Sequence, residues 1–253
     1  MKHLTVYPAM ALLGLGMCTP GVGTEAARTA VIYGDSLLLE AYDPVAPCFS
    51  RAAGWEVTIR ASGGTAVCDM LPQLEVDLST IRPTVVAIET VGNSWLTCMV
   101  DPATGGPYWG DAYYDKFAAD LEAFFAAAHE AHVPVVFFSP PPVGAAPDPR
   151  IQNLIDIAAT LAQKYPGTTL SDAARNAVSN AGVYAQELPC LATETVEMGC
   201  TDGMIRVRSP DEVHFCPTRF TFPCPEWSSG ASRFGAAICI DLLSRAYPPT
   251  QGR

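Results

Sequence analysis

Alternation between short apolar strands and helical segments is the feature that most constrains how this chain can fold. Four runs are typical of strands in a sheet: residues 30–33, 55–61, 84–90 and 133–139. Segments 113–132 and 151–165 place apolar side chains at three-and-four spacing, as one face of a helix does, and residues 229–246 form the last predicted helix. This alternation predicts a three-layer α/β/α sandwich with a central, mostly parallel sheet.

Three of the predicted strands end in turns made of small or polar residues. Gly34-Asp35-Ser36 follows the first strand, Gly63-Gly64 the second and Gly92-Asn93 the third. Ligands of parallel sheets bind beyond the carboxyl ends of the strands, so we expect these turns to gather at one edge. The first turn alone has two interpretations. It is either a helix start capped by Asp35 or Ser36, or a nucleophilic serine on a tight turn.

A serine nucleophile needs a neighbouring base, and His214 is the best candidate among the four histidines. His3 lies in a predicted signal segment, whereas His129 and His132 end a predicted helix, whose negative end favours histidine. His214 lies in a predicted loop three residues after Asp211. An acid at that spacing can hold one ring nitrogen while the other takes the serine proton. The alternative is a loop histidine with an unrelated acidic neighbour.

Four parts of the chain resemble, in the same order, the four sequence blocks of the SGNH (GDSL) hydrolase superfamily. They are Gly34 to Leu37, Gly63, Asn93 and the pair Asp211-x-x-His214. The resemblance spans the mature chain from its start to its last quarter, and we predict residues 28–253 to be one domain. The resemblance implies a flavodoxin-like α/β/α fold and a serine esterase or lipase. It also implies that Ser36 is the nucleophile, that His214 is the base and then the acid, and that Asp211 orients His214.

The resemblance further implies an oxyanion hole built from the backbone N–H groups of Ser36 and Gly63 and the side chain of Asn93. Two departures from the family pattern bear on this set. The third block usually reads Gly-x-Asn-Asp, whereas this chain has Val-Gly-Asn-Ser at 91–94, which leaves the placement of Asn93 open. The neighbouring Gly64 is an alternative to Gly63. The resemblance implies neither a cofactor nor a metal.

Three functions are compatible with these residues. A secreted hydrolase would cleave acyl or acetyl esters of small molecules, lipids or glycans. An O-acyltransferase would use the same acyl-enzyme but exclude water, and a non-catalytic module would bind glycan or lipid. Residues 101–115 carry Tyr108, Trp109, Tyr113 and Tyr114, whose rings either contact a sugar or acyl chain or pack into the following helix.

Residues 1–27 have the pattern of a secretory signal peptide. Lys2 provides the positive end, residues 9–17 the apolar stretch, and residues 24–27 a small-residue cleavage site. Beyond Cys18 the chain has eight cysteines, an even set that is typical of up to four disulfides in an exported protein. Zinc is less favoured, because no Cys-x-x-Cys pair is present. We therefore predict a secreted protein without stable membrane insertion.

The charge of the chain bears on its partners. The formal net charge is −11, and no run of basic residues is present. Such a chain cannot neutralise many phosphates, so nucleic acid is not the expected partner. The predicted partner is an ester of a small molecule, a lipid or a glycan.

Overall fold

The computed structural model describes residues 27–146, 148–218, 222, 224 and 226–246, so the predicted signal segment lies outside it except for Ala27. The described strands are β1 (Arg28–Gly34), β2 (Trp55–Ala61), β3 (Val85–Glu89), β4 (Val135–Phe138), β5 (Thr168–Ser171), β6 (Glu187–Pro189) and β7 (Met204–Arg206). The described α-helices are α1 (Ser36–Glu40), α2 (Tyr42–Ser50), α3 (Val67–Thr80), α4 (Asp111–Glu130), α5 (Pro149–Ala162), α6 (Ala173–Ala177) and α7 (Ser229–Ala246). None of these helices has the length and hydropathy that crossing a membrane requires.

The central sheet has five parallel strands in the order β2-β1-β3-β4-β5. The predicted mostly parallel sheet is confirmed, and β6 and β7 pair separately as a small antiparallel ribbon. This strand order is that of flavodoxin-like sheets, in which the direction of winding reverses between β1 and β3. Ligands of such sheets bind in the crevice at that switch point, so the residues that follow β1 and β3 occupy the favoured position.

Both faces of the sheet are covered by helices, which makes the three layers. Along β1, Ala30 and Ile32 pack in one core cluster with residues of α1, α2, α6 and α7. Val31 and Tyr33 pack in a second cluster with residues of α3, α4 and α5. Successive side chains of a strand point to opposite faces, so a strand apolar at every position belongs between two helical layers. The predicted α/β/α sandwich is confirmed.

The eight cysteines in the described part of the chain form four disulfides: Cys48–Cys239, Cys68–Cys98, Cys190–Cys200 and Cys216–Cys224. The first joins α2 to α7, and the third lies beside the β6–β7 ribbon. The second and fourth hold the segments that follow Asn93 and His214, so two of the four crosslinks restrain the surroundings of the predicted site.

Candidate active site

Ser36 is the first residue of α1 and directly follows the β1 turn. Asp35 caps this helix, because its Oδ1 accepts a hydrogen bond from the backbone N–H of Leu37 at 3.0 Å. At position 34 a Cβ would lie 2.5 Å from the Cβ of Leu38, so only glycine fits there. The turn therefore caps a helix and presents a serine at the same time, and both interpretations of its sequence apply.

A continuous chain of hydrogen bonds joins Ser36, His214 and Asp211. The Oγ of Ser36 lies 2.9 Å from Nε2 of His214, and Nδ1 of His214 lies 2.7 Å from Oδ2 of Asp211. Oδ1 of Asp211 also accepts the backbone N–H groups of Val213 and His214, each at 3.0 Å. Because a carboxylate only accepts hydrogen bonds, the proton of the neutral imidazole belongs on Nδ1. The lone pair of Nε2 then faces the serine hydroxyl.

The charge state of Asp211 suits this arrangement. Partial burial raises the pKa of Asp211, but the hydrogen bonds from the ring and backbone of His214 outweigh this effect and hold the pKa below its usual value. Asp211 is therefore ionised at neutral pH, and its negative charge can stabilise a protonated His214 ring.

Glu40 lies one helical turn after Ser36 and holds the segment that follows His214. Its carboxylate accepts the backbone N–H groups of Phe215 at 2.7 Å and Cys216 at 3.3 Å. Burial raises the pKa of Glu40, although the hydrogen bond from Phe215 acts in the opposite direction. Residues four apart lie on one face of a helix, so α1 carries both the serine and the clamp on the histidine segment. Glu40 was not predicted from the sequence, where its signal is an acid directly after three leucines.

Arg208 holds the other side of the same segment and is fully buried. Its Nη1 donates to the carbonyl oxygen of Val213 at 3.0 Å, and its Nη2 donates to that of Pro142 at 3.2 Å. The guanidinium lies 4.8 Å from the ring centroid of Phe215, within the range of a cation–π contact. Burial lowers the pKa of Arg208 to about 10, which leaves the group charged at neutral pH. Arg208 was not predicted from the sequence either.

Hydrogen bonds to Asp35 and Asn93 join the turns that follow β1, β2 and β3. Oδ2 of Asp35 accepts the backbone N–H of Val91 at 2.8 Å and the side-chain amide of Asn93 at 3.0 Å. Nδ2 of Asn93 also lies 3.2 Å from the carbonyl oxygen of Thr65. Both hydrogens of the Asn93 amide therefore have acceptors already. To donate to an oxyanion, Asn93 has to exchange or share one of them.

Gly63 and Gly64 form the turn between β2 and α3, immediately before Thr65. In this turn the backbone of Thr65 donates to Ser62, whereas neither glycine N–H has an acceptor in the described part of the chain. Both N–H groups are therefore available to a ligand. Gly63 is the more exposed of the two, and Gly64 has a φ of +78°, so the choice between them stays open.

Two fully buried carboxyl groups, those of Asp35 and Glu89, influence each other's protonation. Burial and the charge of Asp35 both raise the pKa of Glu89 well above its usual value. Burial also raises the pKa of Asp35, but the N–H groups of Val91 and Leu37 act in the opposite direction. Because Asp35 accepts three N–H donors, the negative charge belongs on Asp35 and the proton on Glu89.

Two groups of side chains have the spacing of metal ligands among the described residues: Glu40 with Cys216 and Cys224, and Cys68 with Asp69 and Cys98. In each group the two cysteines are joined in a disulfide. Their sulfurs are therefore not thiolates, the form in which cysteine binds zinc.

Neither protein-family models nor curated protein sequences match this chain. Solved structures do match. A lipase/acylhydrolase from Enterococcus faecalis is 16% identical over 86% of this chain and 96% of its own, with a TM-score of 0.53. A putative acylhydrolase from Bacteroides fragilis is 17% identical over 86% of this chain and 88% of its own, with a TM-score of 0.50.

These similarities concern the fold. Together with the strand order, they confirm that the chain has the α/β/α fold predicted from its resemblance to the SGNH hydrolase superfamily. One fold hosts many activities, so the chemistry has to be argued from the side chains at the site.

Proposed function

We propose that this chain is a secreted serine hydrolase that cleaves carboxylic esters through an acyl-enzyme on Ser36. The observation that carries the proposal is the chain of hydrogen bonds from Ser36 through His214 to Asp211, located at the switch point of the sheet. Similarity in fold to two acylhydrolases supports the same class of reaction.

In the first half of the reaction, Oγ of Ser36 attacks the carbonyl carbon of the ester while its proton passes to Nε2 of His214. Negative charge develops on the carbonyl oxygen. The backbone N–H groups of Ser36 and Gly63 and the amide of Asn93 are the proposed donors to it. The ester C–O bond then breaks and His214 protonates the departing alkoxide, so that an alcohol leaves and the acyl group stays on Ser36.

In the second half, a water molecule takes the place of the alcohol. Nε2 of His214 accepts a proton from the water as its oxygen attacks the acyl carbon, and a second oxyanion forms at the same donors. The bond to Oγ of Ser36 then breaks, and the proton on His214 returns to Oγ. A carboxylic acid leaves, and the enzyme is restored. Throughout, Asp211 keeps the ring in the orientation that this transfer needs.

The proposed substrates are acyl or acetyl esters of small molecules, lipids or glycans. Secretion is supported by the four disulfides, because such bonds persist in oxidising compartments. The signal-like pattern of residues 1–27 supports the same location.

The test uses purified protein beginning at residue 28, with p-nitrophenyl esters from acetyl to palmitoyl and a fluorophosphonate probe. Wild type should turn over at least one ester and be labelled at Ser36, whereas Ser36→Ala should lose about 10⁴-fold or more in kcat and all labelling. Ser62→Ala, which changes an exposed serine in the neighbouring turn, is the matched control.

Labelling that persists in Ser36→Ala would place the nucleophile elsewhere. Wild type without turnover of any ester would favour the non-catalytic binding module. Acylated glycan among the products, in place of free acid, would favour the O-acyltransferase.

A further inference from the structure

Two tryptophans in the segment that follows Asn93 are mostly exposed. Trp95 is 79% exposed and Trp109 is 72% exposed, whereas Trp55 is 6% exposed in the core. Each indole offers a large, rigid apolar face with one polar edge, and such side chains are enriched at binding surfaces. Both belong to the segment between β3 and α4, which also contains Asn93.

This segment has a defined structure that brings its two ends together. Val100 and Pro107 form an antiparallel bridge, and the backbone N–H of Tyr108 donates to the carbonyl oxygen of Met99 at 3.1 Å. Met99 is buried, and the disulfide from Cys98 to Cys68 fixes the segment to α3. The chain therefore returns on itself and places Trp109 near the residues that follow Asn93.

A cavity of about 170 Å³ lies between these ends, and its lining includes Ser94, Tyr108, Trp109, Tyr113, Tyr114 and Arg150. It is connected to the candidate site in two ways. Ser94 directly follows Asn93, and the hydroxyl of the buried Tyr113 donates to the carbonyl oxygen of Gly92 at 2.6 Å. A ligand in this cavity would thus lie beside the turn that carries the proposed oxyanion donor.

We propose that Trp95 and Trp109 bind the sugar rings of a neutral polysaccharide that carries the ester cleaved at Ser36. The proposal rests on the proposed esterase function and names its substrate class. Sugar rings have an apolar C–H face that stacks on indole, and hydroxyl groups at the ring edge that need hydrogen-bonding partners. The lining supplies those partners through the guanidinium of Arg150 and the hydroxyl groups of Ser94 and Tyr114.

Charge favours a neutral glycan over an anionic ligand or an anionic lipid surface. Residues 93–110 contain Asp101 and no lysine or arginine, and α4 then begins with Asp111. The whole chain has a formal charge of −11. Surfaces that bind anionic lipids carry clustered basic residues, which this segment lacks. Arg150 in the cavity lining forms an ion pair with Asp148 at 3.4 Å, so stacking on the tryptophans, and not ion pairing, supplies the affinity for the ligand.

The first experiment compares two substrates in matched variants. Trp95→Ala and Trp109→Ala should each lower kcat/KM on acetylated xylan, acetylated glucomannan or soluble cellulose acetate by roughly 5- to 10-fold, and the double variant by more. The value for p-nitrophenyl acetate should stay within about twofold of wild type, because this substrate is too small to reach Trp95 or Trp109 from Ser36. Val196→Ala, which removes an apolar side chain that is 77% exposed between β6 and β7, should behave as wild type.

Equal losses on both kinds of substrate would indicate a structural role for the tryptophans and overturn the proposal. Unchanged values on all three polysaccharides would overturn it as well. If the variants lose kcat/KM only on emulsified tributyrin or on phosphatidylcholine vesicles, the two tryptophans contact lipid instead.

The second experiment measures binding without catalysis, so that it remains decisive even if the esterase proposal fails. Ser36→Ala protein is titrated with xylohexaose, cellohexaose and mannohexaose while tryptophan fluorescence and heat are recorded. At least one oligosaccharide should bind, and the additional change Trp109→Ala should weaken that binding about 5-fold or more. Absence of binding by all three, or binding that is insensitive to Trp109 and Trp95, would contradict the proposal.

Discussion

Asp35 and Asp211 each accept three hydrogen bonds from N–H groups, but they do so in different surroundings. Asp35 is fully buried, whereas 42% of the Asp211 side chain is exposed. The donors to Asp35 come from two distant parts of the chain, namely Leu37 in α1 and Val91 and Asn93 in the turn after β3. Those to Asp211 come from its own loop, namely the backbones of Val213 and His214 and the His214 ring.

The difference indicates that one aspartate has a structural role at this site and the other a role in the reaction. Asp35 joins the turn after β1 to the turn after β3, so its hydrogen bonds contribute to the shape of the sheet edge. Asp211 orders a short loop and orients one imidazole. Loss of Asp35 should therefore reduce mainly the stability of the fold, and loss of Asp211 mainly the rate of the reaction.

The largest expected effect is that of Asp211→Asn on the rate. The amide is neutral and cannot stabilise a protonated His214, and its NH₂ group favours the wrong ring tautomer. We expect kcat to fall by about 10⁴-fold, while the melting temperature changes little. The assay is hydrolysis of p-nitrophenyl acetate combined with thermal unfolding, and Asp202→Asn at the exposed tip of the β6–β7 ribbon is the control. A variant with more than a tenth of wild-type kcat would contradict the assigned role.

The next largest effect is that of Asp35→Ala on stability. Three donors lose their acceptor at a buried position, and each unsatisfied buried donor costs about 1–3 kcal/mol, so the free energy of unfolding should fall by about 3–5 kcal/mol. Urea unfolding measures this change. In Asp211→Ala water can replace the lost acceptor, and the loss should be about 1 kcal/mol or less. Equal losses in the two variants would remove the distinction between the aspartates.

Asn93→Ala should have a slightly smaller effect, and it tests a role in the reaction and a structural role at the same residue. As an oxyanion donor, Asn93 should contribute about 10²–10³ in kcat with little effect on KM. Its hydrogen bonds to Asp35 and Thr65 predict in addition a loss of about 1–2 kcal/mol in stability. Asn153→Ala, on the exposed face of α5, is the control.

A folded Asn93→Ala protein that keeps more than about a third of wild-type kcat would contradict the oxyanion assignment, because that loss is under ~1 kcal/mol of barrier. Asn93 would then act only as a link between the turns, as Asp35 does.

The sheet and its main helices could be predicted from sequence because their apolar patterns are long. The predicted strands 30–33, 55–61, 84–90 and 133–139 correspond to β1, β2, β3 and β4, and the last helix has the predicted bounds. Strand β5 was missed, since Thr168–Ser171 has one large apolar residue. Helix α3 was missed as well, and Pro72 lies inside it, which weakens a helical pattern.

The candidate site also contains residues that could be predicted from sequence and residues that were not. The order of its blocks pointed to Ser36, Asp211 and His214, whose proximity is observed and whose chemical roles stay predictions. Glu40 and Arg208 were not predicted, because a charged residue in a local sequence pattern is expected to be exposed and only tertiary packing buries it. The acceptors of the Asn93 amide, on Asp35 and Thr65, likewise could not be predicted, because they depend on how three turns pack together.

Measured per pH unit, the smallest expected effect concerns the dependence of stability on pH, where the two carboxyl environments act with opposite sign and each changes the free energy of unfolding by at most about 1.4 kcal/mol per unit. The pKa of Asp211 is lowered on folding, so its contribution is present above its unfolded pKa of about 3.9 and is lost as the pH falls through the folded value. The pKa of Glu89, the buried neighbour of Asp35, is raised well above its usual value. Its contribution is therefore present below about pH 4.3 and is lost as the pH rises toward the folded value.

Glu89→Gln tests this opposition, because the amide matches the protonated acid in shape and cannot ionise. Relative to wild type, the variant should retain more of its unfolding free energy as the pH rises from 4 to 8, by at most about 1.4 kcal/mol per pH unit. Asp211→Asn should differ from wild type at the acidic end of the pH range, where its free energy of unfolding should fall less than that of wild type below about pH 4. Urea unfolding at intervals from pH 3 to 8 measures both. If the Glu89→Gln and wild-type curves run parallel from pH 4 to 8, Glu89 is not the proton carrier of the buried pair, and the charge assigned to Asp35 is wrong.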